Sequence, residues 1–176
     1  ISDGPDEDYD SLRHTYFGAV THAEESIRIL TPYFLPDQEL TTALTIAARR
    51  GIDVQVVVPE VGNLRMVQWA SEGHFQELVE AGVQIFRSPP PFDHSKLFII
   101  DGIWVCLGSA NWDPRSLKLN FEFNVECYGE SLATRLRDWF DQKRRNADPL
   151  TPGEIQNRNL FVRLRNNIFR LGSPYL

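Results

Sequence analysis

His94, Ser95 and Lys96 stand in a row, Asp101 follows five residues after the lysine, and six residues separate it from Gly108-Ser109-Ala110-Asn111. Glu122 and Asn124 close the stretch. These side chains suit the cleavage of a phosphodiester, which carries one negative charge and gathers more in its transition state. Lys96 can hold a nonbridging oxygen as a fixed cation, and Ser109 and Asn111 can donate hydrogen bonds to the same oxygens. Donors placed in advance where charge develops are each worth roughly 3 to 4 kcal/mol. Histidine changes protonation near neutral pH, so His94 can attack phosphorus or pass a proton to the leaving oxygen. Its second ring nitrogen needs an acceptor, and Glu122 is the candidate. The scheme asks for no metal and no cofactor. The sequence has no acidic cluster suited to Mg²⁺ and no CxxC, HExxH or His/Cys cluster for zinc.

Neighbouring strands must bring these residues together. Lys96 to Ile100 and Ile103 to Leu107 are apolar runs separated by Asp101-Gly102, a strong hairpin signal. Residues two apart on a strand share a face, so His94 and Lys96 point the same way. With a tight two-residue turn, opposed residue numbers sum to about 203. Lys96 then faces Leu107 and His94 faces Ser109, with Asn111 on the same side. A slip of one residue would break this arrangement. Asp101 sits at the turn, roughly 17 Å along the strand from His94, where its carboxylate stabilises the turn. Gly108 and Asn124 are read as structural supports. The flanking strand Phe121 to Tyr128 carries Glu122.

Upstream, helical and strand periods alternate. Residues 1 to 10 read as a leading loop and Ser11 to Ser26 as a helix. Ile27 to Leu30 reads as a strand stopped by Thr31-Pro32. Asp37 is a good N-cap for a helix to Arg50, with Gly51 as its stop. Asp53 to Val58 reads as a buried strand, Asn63 to Glu80 as a helix, and Val83 to Phe86 as a strand. Ser131 to Arg145 and Glu154 to Arg170 complete the pattern as helices. Alternation of this kind predicts one α/β domain over residues 1 to 176: a mixed sheet of six to eight strands with helices on both faces.

Composition bounds the partners. The 176 residues are 42% apolar and 24% charged, ordinary for a globular protein. No run of eighteen apolar residues occurs, so the chain is expected to be soluble with no transmembrane helix of its own. It begins at Ile1 with no leader pattern and reads as a piece of something longer. Cys106 and Cys127 are expected as free thiols in apolar strands. The net charge of −6 divides into +5 over residues 135 to 176, nine basic against four acidic, and so −11 over the rest. An acidic body argues against nucleic acid as partner. Residues 154 to 171 read as a basic amphipathic helix. Leu160, Phe161, Leu164, Ile168 and Leu171 share a stripe, with Arg158, Arg163, Arg165 and Arg170 interleaved. Such a helix can lie on an anionic membrane or pack on another part of the protein.

His94-x-Lys96-x4-Asp101-x6-Gly108-Ser109-x-Asn111 resembles the HKD signature of the phospholipase D superfamily at every fixed position. Thr31-Pro32-Tyr33-Phe34, Arg49-Arg50-Gly51-Ile52-Asp53-Val54, Asn111-Trp112-Asp113-Pro114-Arg115-Ser116 and Ser173-Pro174-Tyr175-Leu176 resemble the C-terminal half of bacterial cardiolipin synthases. The resemblance implies a phospholipase D-like α/β/α sandwich that acts without a metal. It implies two motifs around one pocket, from two halves of a chain or from a homodimer. One histidine becomes a phosphohistidine and the other works as acid and base; here His94 would be the acid/base. The implied reaction joins two phosphatidylglycerols and releases glycerol at the inner membrane of a bacterium. Lys96, Ser109 and Asn111 would bind the anionic headgroup phosphate, and Glu122 would orient the imidazole. Only one motif is present, so a missing N-terminal half or a second copy is implied as partner. Two rivals are a hydrolytic phosphodiesterase or nuclease of the same superfamily, and a catalytically incomplete half that binds lipid or a partner.

Overall fold

The computed structural model describes residues 1–5 and 10–171. Among them, β1 (Ser2–Asp3), α1 (Ser11–His22), β2 (Ser26–Leu30), α2 (Gln38–Arg49) and β3 (Asp53–Pro59) come first. Next are α3 (Arg65–Glu80), β4 (Gln84–Ser88), β5 (Leu97–Ile100), β6 (Trp104–Gly108) and α4 (Pro114–Lys118). The order ends with β7 (Glu122–Tyr128), α5 (Glu130–Arg145), β8 (Asp148–Pro149), α6 (Pro152–Gln156) and α7 (Leu160–Leu171). The strands form one sheet in the order β1-β7-β6-β5-β2-β3-β4-β8. β2, β3 and β4 are parallel, while β5, β6 and β7 extend the sheet from β2 with each strand antiparallel to the one before it.

The valine-rich run Val54 to Val58 is buried throughout because both sheet faces are covered. Helices α1, α2 and α3 lay Leu12, Tyr16, Leu40, Leu44, Phe75 and Leu78 against one face. Helix α5 sets Ala133 and Phe140 against Leu97, Ile99 and Val105 on the other. This is the mixed sheet with helices on both faces that the periodicity predicts. Asp37 caps α2 by accepting from the Leu40 amide (2.9 Å), and Gly51 stops it at φ 92°. Among the described residues no helix is long and apolar enough to cross a membrane. Both cysteines are free thiols.

Several elements differ from the sequence reading. Ser2–Asp3 is a strand paired with Phe123 and Glu122 rather than part of a loop. Its Asp3 carboxylate accepts from the Leu12 amide (2.8 Å) and so starts α1. Helix α1 ends at His22, because Glu24, Glu25 and Ser26 turn their amides onto Asp101. The expected last helix is two helices. Thr151 and Glu154 form a capping box on α6. Asn159 then accepts from the Phe161 amide (3.0 Å), which restarts the chain as α7. The acidic run Asp6-Glu7-Asp8 and the ending Ser173-Pro174-Tyr175-Leu176 lie outside the described residues.

The hairpin register is also one residue off. Leu97 pairs with Leu107 and Ile100 with Trp104, so opposed numbers sum to 204. Asp101 and Gly102 both adopt positive φ, 52° and 64°, and Ile103 donates back to the Ile100 carbonyl (3.1 Å). Ile103 therefore belongs to the turn, and strand β6 starts one residue later than a tight hairpin allows. The ladder stops at Leu97. His94 and Lys96 approach their neighbours from irregular backbone instead of across paired strands.

From the sequence alone His74 has no motif around it and reads as a surface or helix-face histidine. It is 6% exposed on α3, and neither ring nitrogen has a hydrogen-bond partner. Burial, with Arg170 nearby, lowers its pKa from 6.5 to about 4. The unfolded chain takes up this proton below about pH 6.5, whereas the folded chain resists it down to about pH 4. Its contribution to stability is therefore complete above pH 6.5 and lost as pH falls towards 4, by about 3 kcal/mol at most. Denaturation midpoints should fall steeply between pH 6.5 and 4 for this chain. His74→Leu should flatten that slope.

Candidate active site

The candidate residues gather at one end of the sheet, where β2, β3, β4 and β6 finish and β5 and β7 begin. In open α/β sheets the carboxyl ends of parallel strands are the usual place for a ligand. The chain leaves β2 as Thr31-Pro32-Tyr33-Phe34 and crosses the residues after β6. The Leu35 amide donates to the Trp112 carbonyl (2.6 Å), and the Trp112 amide donates to the Tyr33 carbonyl (3.2 Å). These bonds tie the Tyr33 loop to the Gly108–Asn111 segment. Trp112 is 2% exposed. It stacks on Tyr16 with centroids 4.8 Å apart, so it builds the floor of the site from within the core.

His94 is exposed, and its ring lies between aromatic neighbours, 5.9 Å from Phe92 and 6.3 Å from Tyr33 by centroids. The Lys96 ammonium is 3.0 Å from His94 Nδ1 and donates to the His94 carbonyl (2.7 Å). Partial burial and the adjacent Lys96 charge lower the His94 pKa, against the pull of Asp93. Burial also lowers the Lys96 pKa, while Glu122, Asp113 and Asp93 act to raise it. Asp93 accepts from the Ser95 amide (2.9 Å) and pairs with Lys143 of α5 (2.7 Å), which fixes the loop carrying His94.

Asn124 braces the bend after β6. Its side-chain oxygen accepts from the Ser109 and Ala110 amides, both at 3.1 Å. Its amide donates to the Tyr16 hydroxyl (2.9 Å). Gly108 pairs with Asn124 across the ladder, and the two backbones touch. A Cβ on Gly108 would come 2.6 Å from the Asn124 Cα and press on the Phe123 carbonyl oxygen. Ser109 stays exposed, its hydroxyl accepting from the Phe123 amide (2.9 Å). The Asn111 amide donates to the Ser116 hydroxyl (3.0 Å), and its buried oxygen has no partner. Asp113 caps α4 through the Ser116 amide (2.7 Å).

Glu122 is buried and accepts from Asn120 (3.1 Å). Its charge acts on Lys96 and on Asp113, whose own pKa is raised by burial and by Glu122. No hydrogen bond joins Glu122 to His94 among the described residues; the group beside the His94 ring nitrogens is the Lys96 ammonium, a donor rather than the expected acceptor. Asp101 lies at the far end of β5 from His94. It accepts three amides there, from Glu24, Glu25 and Ser26, at 2.7 to 2.9 Å. Tyr33, Phe92, Asp93 and Asp113 were missed as site residues. Asp113-Pro114 has the form of a helix N-cap followed by proline at the first helical position, which marks its place. Tyr33 lies three residues past the end of β2. Among the described residues, no cluster of three or more His, Cys, Asp or Glu side chains is placed to hold a metal ion.

Comparison with known proteins gives this geometry a context. The family described as "Cardiolipin synthase, PLD-like domain" matches residues 16–144. A cardiolipin synthase of Geobacillus sp. strain WCH70 is 40% identical over 176 residues, covering 100% of this chain and 35% of that protein. Cardiolipin synthase 2 of Staphylococcus epidermidis is 39% identical over 175 residues, 99% of this chain and 36% of that one. The chain thus spans about a third of the length of the curated relatives it matches. Two solved structures share the fold. The phospholipase D family member Nuc of Salmonella typhimurium has a TM-score of 0.73 at 24% identity, over 86% of this chain and 97% of that chain. Phosphatidylserine synthase of Haemophilus influenzae has a TM-score of 0.75 at 18% identity, over 98% of this chain and 46% of that one. With nearly three quarters of its residues inside the matched region and close relatives along its whole length, the chain belongs to the family of cardiolipin synthase, PLD-like domains.

Proposed function

We propose that this chain is one half of a phosphatidyl-transfer site that joins two phosphatidylglycerols through a phosphohistidine. The observation that carries the reading is the pairing of the exposed His94 ring with the Lys96 ammonium, 3.0 Å apart at the end of the sheet. The histidine of a second motif attacks phosphorus of the first lipid and forms the P–N bond. The P–O bond to glycerol breaks, and His94 gives its proton to that oxygen. Neutral His94 then takes the proton from a hydroxyl of the second phosphatidylglycerol. That oxygen attacks phosphorus, and the P–N bond breaks. The products are cardiolipin, glycerol and free enzyme.

Lys96 holds a nonbridging oxygen, and Ser109 and Asn111 donate to the phosphate as the charge grows. Glu122 and Asp113 favour the charged form of Lys96 against the lowering of its pKa by burial. A lowered His94 pKa favours the neutral ring that the second step requires at neutral pH. The longer protein would work at the inner membrane of a bacterium, on anionic lipid.

The second histidine must come from outside this chain. Phe121 and Phe123, 74% and 63% exposed, form an uncovered apolar surface on β7 beside Ser109. A second unit seated there would close the pocket around His94. The chain alone should therefore convert phosphatidylglycerol at less than about 1% of the rate of the protein carrying both halves. Mixing it with the missing half should restore activity. Robust turnover by a chain proven monomeric would overturn the half-site reading.

A second reading is favoured by the match to nearly the whole of Nuc, in which the unit makes up one chain. Two copies of this chain would then meet across the same β7 surface and hydrolyse a phosphodiester. Light scattering during the assay separates the two, since only this reading requires a dimer.

A further inference from the structure

Helix α7 meets the rest of the protein through a largely polar side, with Phe169 against Trp69 of α3 (ring centroids 5.1 Å apart) as an apolar contact. Asn166 is 2% exposed and donates to Glu72 of α3 (3.0 Å). Arg170 pairs with Glu77 (3.5 Å), and the Arg165 guanidinium lies over the Trp69 ring at 4.3 Å. Just before the helix, Arg158 pairs with Glu72 (3.3 Å). Gly73 of α3 lets the helices touch, since a Cβ there would stand 3.0 Å from the Asn166 carbonyl oxygen. The apolar side faces outwards. Leu160, Phe161, Leu164 and Ile168 are 73%, 79%, 56% and 58% exposed, and their spacing puts them on one stripe. Water alone would favour the opposite rotation, with this stripe turned inward. Ion pairs, hydrogen bonds and one glycine hold the helix with its greasy side to the outside.

Charge and position indicate what covers the stripe. From Ile155 to Leu176 the chain has four arginines and no acidic residue. Three of them dock the helix, while Arg163 is exposed beside the stripe. The stripe is set apart from the β7 surface on which a second catalytic unit is proposed to sit. Helix α3 packs near β4, five strand steps from β7, or roughly 24 Å away. α7 also stands close to the site end of the sheet. Arg158 and Tyr33 line the same cleft, and Tyr33 edges onto His94.

We propose that α7 seats this domain on an anionic phospholipid bilayer, its apolar stripe in the acyl boundary and Arg163 at the headgroup phosphates. The docked helix holds the His94 end of the sheet beside the lipid surface. Membrane seating is separate from the transfer chemistry and needs neither His94 nor a second half.

The test is sedimentation of the 176-residue chain with vesicles of equal parts phosphatidylglycerol and phosphatidylcholine, and with phosphatidylcholine alone. The chain should bind the anionic vesicles more tightly and remain bound in about 0.5 M NaCl, because the apolar term is not screened. Phe161→Ser with Leu164→Ser should weaken binding at least about tenfold and leave the melting temperature unchanged, since both side chains are exposed. His94→Asn should bind as the parent does. Equal binding by the double variant, or none by the parent chain, would overturn the proposal. So would a dimer in lipid-free solution that the same double substitution dissolves, because a second copy would then be the occupant of the stripe.

Discussion

His94→Asn, made in the protein that carries both halves, should lower conversion of phosphatidylglycerol to cardiolipin by roughly a thousandfold or more. The fold should hardly notice. His94 is exposed, and its contacts are the Lys96 side chain and two aromatic edges. Melting temperature should change by no more than about 2 °C. Leaving-group dependence distinguishes its role as acid and base from that of nucleophile. A phosphatidyl ester of p-nitrophenol needs no proton from an acid to expel its leaving group. The variant should release nitrophenolate from it in a single-turnover burst close to that of the parent protein, then fail to pass the phosphatidyl group onward. Loss of that burst as well would make His94 the nucleophile and reverse the order of the two halves.

Gly108→Ala should have the largest effect on the fold of any small change in the signature. The added methyl would meet the Phe123 carbonyl and the Asn124 Cα, which are backbone and cannot swing aside. Relief requires opening the β6–β7 ladder where Gly108 faces Asn124. That movement pulls the Ser109 and Ala110 amides off the Asn124 oxygen. A cost of about 3 kcal/mol is expected, or roughly 10 °C in melting temperature. Urea denaturation measures the first quantity. Activity assayed well below the melting point should still fall more than about a hundredfold, because Ser109 and Asn111 are carried on the displaced segment. A variant as stable and active as the parent would show that β6 and β7 do not meet so closely.

The sequence conveys the fold well where signals are local. Valine-rich runs, the Asp37 cap and the Gly51 stop each announce their elements because the cause lies within a few residues. Pairing information is harder to read. Whether Ile103 lies in the turn or the strand depends on how Asp101 and Gly102 bend, and that one residue shifts the whole hairpin. The split between α6 and α7 turns on Asn159, whose side chain can end or begin a helix with equal ease. His74 looks like any helical histidine until α7, more than eighty residues later, covers it.

The same division runs through the site. His94, Lys96, Ser109 and Asn111 are legible because their types and spacing sit in one stretch of chain. Tyr33 is not, since its place depends on the backbone bonds that tie its loop to Trp112, and Asp113 shows in the sequence as a helix cap but not as a neighbour of Lys96. Glu122 was matched to the nearest residue in need of an acceptor. In three dimensions the half-buried Lys96 lies within its electrostatic reach, and a low-dielectric setting strengthens that interaction.

Asp101 has a consequence for what a six-letter motif records. Its oxygens bind the chain where α1 hands over to β2, at the opposite pole of the sheet from the histidine. One letter of the signature is therefore a remote fastening, Gly108 locks two strands together beside the site, and the other four are tools. A chain that lost a tool would still fold and lie idle. A chain that lost the fastening would keep every reactive group and fail to assemble the bench they stand on.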